Sequence, residues 1–178
     1  MKVKEKTKEI LEDALKNIGC KMLLAAQTAP KARGIDNLYM KLIYDKEIVC
    51  ISDKMKEIGK REEVNFFLRD ADNILKAPVV LLIGTKINTV GLKKCGLCGF
   101  KNCEEKKKHA HTPCAYNTID LGIAIGSAVS IAADNRVDNR VMYTIGQAAI
   151  EMKLLGDDVG IILGIPLSAT AKNPFFDR

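Results

Sequence analysis

Residues 91–114 constrain this chain more than any other stretch. They hold four of its six cysteines, Cys95, Cys98, Cys103 and Cys114, together with three glycines and many lysines. Apolar residues recur there at neither the helical nor the strand period, so the segment has no face to bury. It reads as a module, bounded at residues 91–116, inserted between a strand and a helix of an otherwise ordinary domain.

The spacing is Cys95-x2-Cys98-x4-Cys103, with Cys114 eleven residues further on. Three thiols on so short a loop can aim at one small object. A 4Fe-4S cluster takes four thiolates, one per iron. Gly96 and Gly99 suit such a loop because glycine accepts unusual backbone angles and lets N–H groups approach sulfur. Pro113 stiffens the approach to Cys114. A structural zinc site is the alternative reading, because zinc also takes four Cys or His ligands at such spacings. His109 and His111 lie between the third and fourth cysteines and can replace a thiolate there. Cys20 and Cys50 stand alone and read as buried free thiols. Six lysines between residues 93 and 108 face only Glu104 and Glu105. They read either as a cationic collar that steers an acidic redox partner or as a solvated face; for Lys106, Lys107 and Lys108 the solvated face is preferred.

The remainder looks like one globular domain spanning 1–178. Apolar residues make up 47% and charged residues 28%, enough for a sizeable core without a cofactor or disulfide to hold it. The start is lysine-rich with no apolar stretch behind it, so it does not read as an export signal. The uncharged stretch 121–133 is shorter than the roughly 20 residues a bilayer requires. These features predict a cytoplasmic protein in a reducing compartment, with no membrane partner, whose cysteines serve as ligands or core thiols. The net charge of +6 favours anionic partners. With no tryptophan and few aromatics near the cysteines, nucleic acid is excluded as a partner. No nucleophile elbow, His-Glu-x-x-His, Walker loop or Gly-x-Gly-x-x-Gly occurs, so hydrolase and dinucleotide motifs are absent.

Helical spacing of Leu11, Leu15, Ile18 and Met22 predicts a helix over 3–26. Residues 28–36, with Pro30 and Gly34, read as a loop, and 38–44 as a strand. Two helices are expected within 46–76. The β-branched run 79–83 reads as a buried strand closed by Gly84. A helix over 117–133 carries Gly122, Gly126 and Ser130 on one face and Ala124, Ala128 and Ala132 on another, which predicts close approach by two neighbours. A further helix is expected at 140–154, then a strand at 159–163 ended by Gly164 and Pro166. Phe175 and Phe176 should dock on the body. Strands among helices predict an α/β (α+β) fold.

Cys95-Gly-Leu-Cys-Gly-Phe-Lys-Asn-Cys103 resembles the small four-iron domains of the corrinoid iron–sulfur subunit of acetyl-CoA decarbonylase/synthase and of the Rnf electron-transport complex. The whole chain resembles a family of ferredoxin-domain proteins of anaerobic prokaryotes. The resemblance rests on Ala25-Ala-Gln-Thr-Ala-Pro-Lys-Ala-Arg-Gly34, the cysteine module, Asp120-Leu-Gly-Ile-Ala-Ile-Gly-Ser-Ala128 and the ending Gly164-Ile-Pro-Leu-Ser-Ala-Thr-Ala-Lys-Asn-Pro-Phe-Phe-Asp-Arg178. It implies a cluster. The segment from Ala25 to Pro30 and the element order are also similar to nitroreductase-like flavoproteins. That resemblance implies helices around a central sheet, an intertwined homodimer and FMN at its interface, although lysines stand where those proteins carry paired arginines.

Lys31, Arg33, Asp36 and Asn37 are the candidates to hold a flavin or other anion, against the alternative of a surface turn. The run Asp134, Arg136, Asp138, Arg140 reads chiefly as a capped inter-helix turn with solvated ion pairs. Lys172 and Arg178 are cations that could meet an anion across a dimer. The sequence thus points to an iron–sulfur redox or electron-transfer protein, with a partner protein or small-molecule electron acceptor and a flavin-linked oxidoreductase role implied by resemblance. The alternative is a zinc-bound interaction module with an anionic partner.

Overall fold

The computed structural model describes residues 2–176. Its centre is a four-stranded antiparallel sheet in the order β1-β2-β4-β3. The strands are β1 (Leu38–Tyr44), β2 (Val79–Lys86), β3 (Asp138–Asn139) and β4 (Val159–Ser168). One face carries α1 (Lys2–Thr28) and α5 (Ala115–Asp134). The other carries α2 (Asp45–Arg61), α3 (Asn65–Ile74) and α6 (Tyr143–Glu151). A short helix, α4 (Cys103–Lys107), lies between β2 and α5.

The strand period of two builds two cores from one run of sequence. In β2, Val79, Leu81 and Ile83 pack with Leu15, Met22, Leu121, Ala124 and Ala128 of α1 and α5. Val80 and Leu82 pack on the other side with Met55, Phe67, Ile145 and Ala148. β4 follows the same alternation until Gly160. There Thr85 pairs with Ile161 but Lys86 pairs with Val159, so β4 holds an extra residue and Val159 turns to the α2/α6 side. Gly160 leaves room for Ile87, which a Cβ would strike.

Two strands outrun their predicted ends. Gly84 does not close β2; it pairs with Tyr39 on one side and Ile162 on the other. A Cβ there would lie 2.7–2.8 Å from Val159, Ile161 and Ile162, so glycine marks a close approach. β4 likewise runs through Gly164 and Pro166. Both backbone groups of Gly164 bond to Met142, on the side away from β2. Two residues along, Pro166 faces the same way, so its missing N–H costs no bond to β2.

The predicted close-packed faces of α5 have different fates. Ala124, Ala128 and Ala132 are fully buried against α1 and the sheet. Gly122, Gly126 and Ser130 face outward, and space beyond the two glycines is open. By length and composition α5 could cross a bilayer, which the shorter stretch 121–133 did not suggest; its inner face, however, is packed in the core. Segment 134–140 is not merely a turn: it includes β3, and Arg140 leaves it to bind the tail.

Candidate metal centre

The cysteine-rich segment 91–116 lies between β2 and α5 and includes the first residues of α5. Gly91, Gly96 and Gly99 adopt φ of +75°, +113° and +85°, values that L side chains rarely take. Gly99 N–H donates to Gly96 C=O at 2.9 Å, forming a tight turn that carries Cys98. Cys103 opens α4. Asn102 caps that helix by accepting from Glu105 N–H at 2.9 Å, and Glu105 accepts in return from Lys101 N–H at 2.7 Å. His109 stacks on Phe100 with ring centroids 4.8 Å apart.

Exposure falls along the four thiols. Cys95 is exposed, Cys98 and Cys103 are half-buried, and Cys114 is buried at the N-cap of α5. Asn117, one turn into α5 and only 1% exposed, accepts from Cys114 N–H and from Asn88 N–H, each at 3.1 Å. It therefore ties the chain just before the cysteine-rich segment to that segment's end. Sequence reading missed Asn117. Its signal was present as Cys-x-x-Asn at a helix start, the spacing at which a side chain bonds back to the N-cap.

Among the described residues, no three His, Cys, Asp or Glu side chains converge as a metal-binding group. The donor chemistry nevertheless fits a thiolate-bound centre. Four thiols share one glycine-bent segment, and the buried end of that segment carries an amide nitrogen, on Asn117, without a hydrogen-bond partner. Lys106 departs from the predicted solvated face: it is buried, while Lys107 and Lys108 are exposed. Cys20 and Cys50, expected in the core, lie exposed on the outer faces of α1 and α2. There the neighbouring Met22 and Ile51 take the inward positions.

The loop over 31–37 holds the other candidates. Lys31 Nζ donates to the carbonyls of Ala26, Gln27 and Ala29 at 2.6–3.3 Å, completing the end of α1. Arg33, at φ +58°, donates to Val90 and Gly91 C=O at 2.9 and 3.0 Å, so it latches the loop to the root of the cysteine module. Asp36 accepts from Gln27 and from Leu38 N–H. Asn37 is buried, with its amide nitrogen unpartnered. Buried Asp120 accepts from Ala32 N–H and ties α5 to the same loop. Within one chain, then, Lys31 Nζ and Arg33 Nη1 are engaged with backbone carbonyls. Lys172 lines a surface cavity of about 290 Å³ with Lys76 and Thr170, away from the cysteines; Arg178 lies outside the described residues.

This arrangement matches known flavoprotein folds. A BluB-like flavoprotein of Clostridium difficile 630 superposes with a TM-score of 0.56 and 21% identity, over 88% of this chain and 84% of that one. A nitroreductase family protein of Clostridium novyi NT gives 0.60 and 13%, over 86% and 73%. An FMN-dependent nitroreductase of Clostridium difficile R20291 gives 0.54 and 16%, over 88% and 77%. The chain therefore has a nitroreductase-like fold.

A protein of Archaeoglobus fulgidus, described as "Uncharacterized protein", is 39% identical over 180 residues, covering 94% of this chain and 96% of its own. Residues 110–178 match the family described as "Uncharacterized protein containing a ferredoxin domain", and this chain belongs to that family. The matched region holds Cys114 and α5; Cys95, Cys98 and Cys103 precede it. Family and fold together support a protein of redox type.

Proposed function

We propose that this protein is an electron-transfer component that holds one 4Fe-4S cluster through Cys95, Cys98, Cys103 and Cys114, on a module bounded at 91–116. One observation carries the reading: four thiols lie on a segment that adds no described residue to either core, graded from exposed Cys95 to buried Cys114. The cluster would accept and donate single electrons. The chain's own residues supply the rest. Gly96 and Gly99 bend the loop, α5 presents its positive end to Cys114, and Cys95 offers an exposed edge. Exposed Lys93, Lys94, Lys101 and Lys108 favour an acidic redox partner.

FMN is the second cofactor suggested by the fold, making the protein a flavin-linked oxidoreductase component. Of the loop candidates, Lys31 is taken up by carbonyls, whereas Arg33 commits only its Nη1 and, like the buried amide of Asn37, keeps donors that a flavin could use. The outward face of α5, with Ile119, Gly122, Ile123 and Gly126, is the natural surface for a homodimer.

The test is anaerobic purification followed by an absorption spectrum with iron, sulfide, zinc and flavin analysis. About four irons and four sulfides per chain, lost in Cys98→Ala, are the expected result. One zinc without sulfide, from protein never exposed to air, would leave the metal-bound interaction module instead.

A further inference from the structure

Three buried amide nitrogens among the described residues lack a hydrogen-bond partner, on Asn37, Asn73 and Asn117. Asn117 differs from the other two. An amide oxygen and nitrogen can exchange places in a structure unless their partners fix them. Asn117 Oδ1 accepts from two backbone N–H groups, Cys114 and Asn88, so the nitrogen cannot take its place without facing two donors. The N–H2 group is thereby held in the buried end of the module, beside Cys114, with nothing to donate to. A buried donor left unsatisfied forfeits its bonds to water without replacement, which is unfavourable. A site that keeps one is built for an acceptor. The positive end of the 20-residue helix α5 lies at the same place, so the acceptor it favours is an anion.

We infer that Asn117 donates its amide hydrogens to a bridging sulfide of the centre held at Cys114. This rests on the cluster reading above and deepens it. Asn117 is then a positioning residue with two tasks: its oxygen clasps the chain just before the module to the module's end, and its nitrogen sets the potential. Hydrogen bonds to sulfur offset the extra negative charge of the reduced state and make reduction easier.

The experiment separates the two tasks. Asn117→Asp keeps an oxygen for the clasp and loses both amide hydrogens. Asn117→Leu is neutral and loses clasp and donor together. Whole protein and both variants are prepared anaerobically, assayed for iron and sulfide, titrated for midpoint potential and examined in the reduced state by pulsed EPR for exchangeable-proton couplings.

Expected is an Asp variant that retains its cluster, with reduction at least tenfold less favourable, about 59 mV for one electron, and with one exchangeable-proton coupling gone. The Leu variant either behaves likewise or loses the cluster; both fit. An Asp variant with an unchanged midpoint, or a lowered midpoint with the proton coupling intact, overturns the inference and leaves only the clasp or a charge effect. Loss of the cluster from both variants also overturns it, by assigning Asn117 to assembly. Wild-type protein without iron and sulfide sinks the cluster reading itself.

Discussion

Arg140 shows how much one side chain can hold. Its guanidinium donates to Phe175 C=O at 2.9 Å, lies 5.1 Å from the Phe176 ring centre and sits 3.7 Å from the buried carboxylate of Asp70. Asp70 in turn accepts from Thr144 at 3.0 Å and from Arg69. Phe175 is fully buried, so the tail is a part of the core held in place by this contact. Arg140→Ala should cost about 1–3 kcal/mol. Thermal unfolding measures that loss, and mapped proteolysis should find faster cleavage near Phe175. Gly146 is a second single-residue dependence, because a Cβ there would strike the backbone of Ile162. Gly146→Ala should destabilise by about 1–3 kcal/mol through overpacking, read by urea unfolding with an unchanged slope.

At the scale of elements, α2 and α6 are joined at their C-terminal ends by Arg61 and Glu151, 2.6 Å apart. The hydrogen bond from Arg61 holds the Glu151 carboxyl below its usual 4.5, with partial burial opposing it. A folded-state value below the unfolded one gives stability that is present above pH 4.5 and is lost as pH falls through the lowered folded value. The pair is exposed, so the effect is small and screened by salt. The melting-temperature gap between wild type and Glu151→Gln should therefore be largest near neutral pH and close towards pH of about 3. A gap that stays constant across that range would count against this pairing.

At the scale of the molecule, the sheet separates two cores and β2 serves both. Leu82→Ala should cost about 2–5 kcal/mol, measured by denaturant unfolding, because Leu82 is fully buried and lies where three helices meet the sheet. The outward face of α5 belongs to this scale as well. If it joins two copies, Gly126→Glu should yield monomers in sedimentation while leaving the fold intact, since Gly126 has open space before it. The lysines around the cysteine module make a further expectation. If the proposed cluster passes electrons to an acidic partner, that transfer should slow as ionic strength rises, because screening shortens the reach of exposed charges to about a Debye length.

The sequence alone determined the local pieces. Period-3.6 and period-2 patterns are written in neighbouring residues, so α1, β1 and the start of β2 follow directly from Leu11, Leu15 and Met22, from 38–44 and from Val79 to Ile83. The four cysteines announced themselves by type and spacing. Tertiary structure decided what depends on residues far apart in the chain. Gly84, Gly164 and Pro166 look like strand ends until their cross-strand and helix neighbours show why they are tolerated inside. Cys20 and Cys50 look like core thiols until the orientation of α1 and α2 turns them outward. Lys31 and Arg33 look like free cations until carbonyls at 26–29 and 90–91 take them up. The bond from Asn88 N–H to the Asn117 side chain spans 29 residues, and no local pattern encodes it. Propensity and periodicity are short-range, whereas burial and hydrogen-bond pairing are set by which surfaces meet, and only the folded chain fixes those.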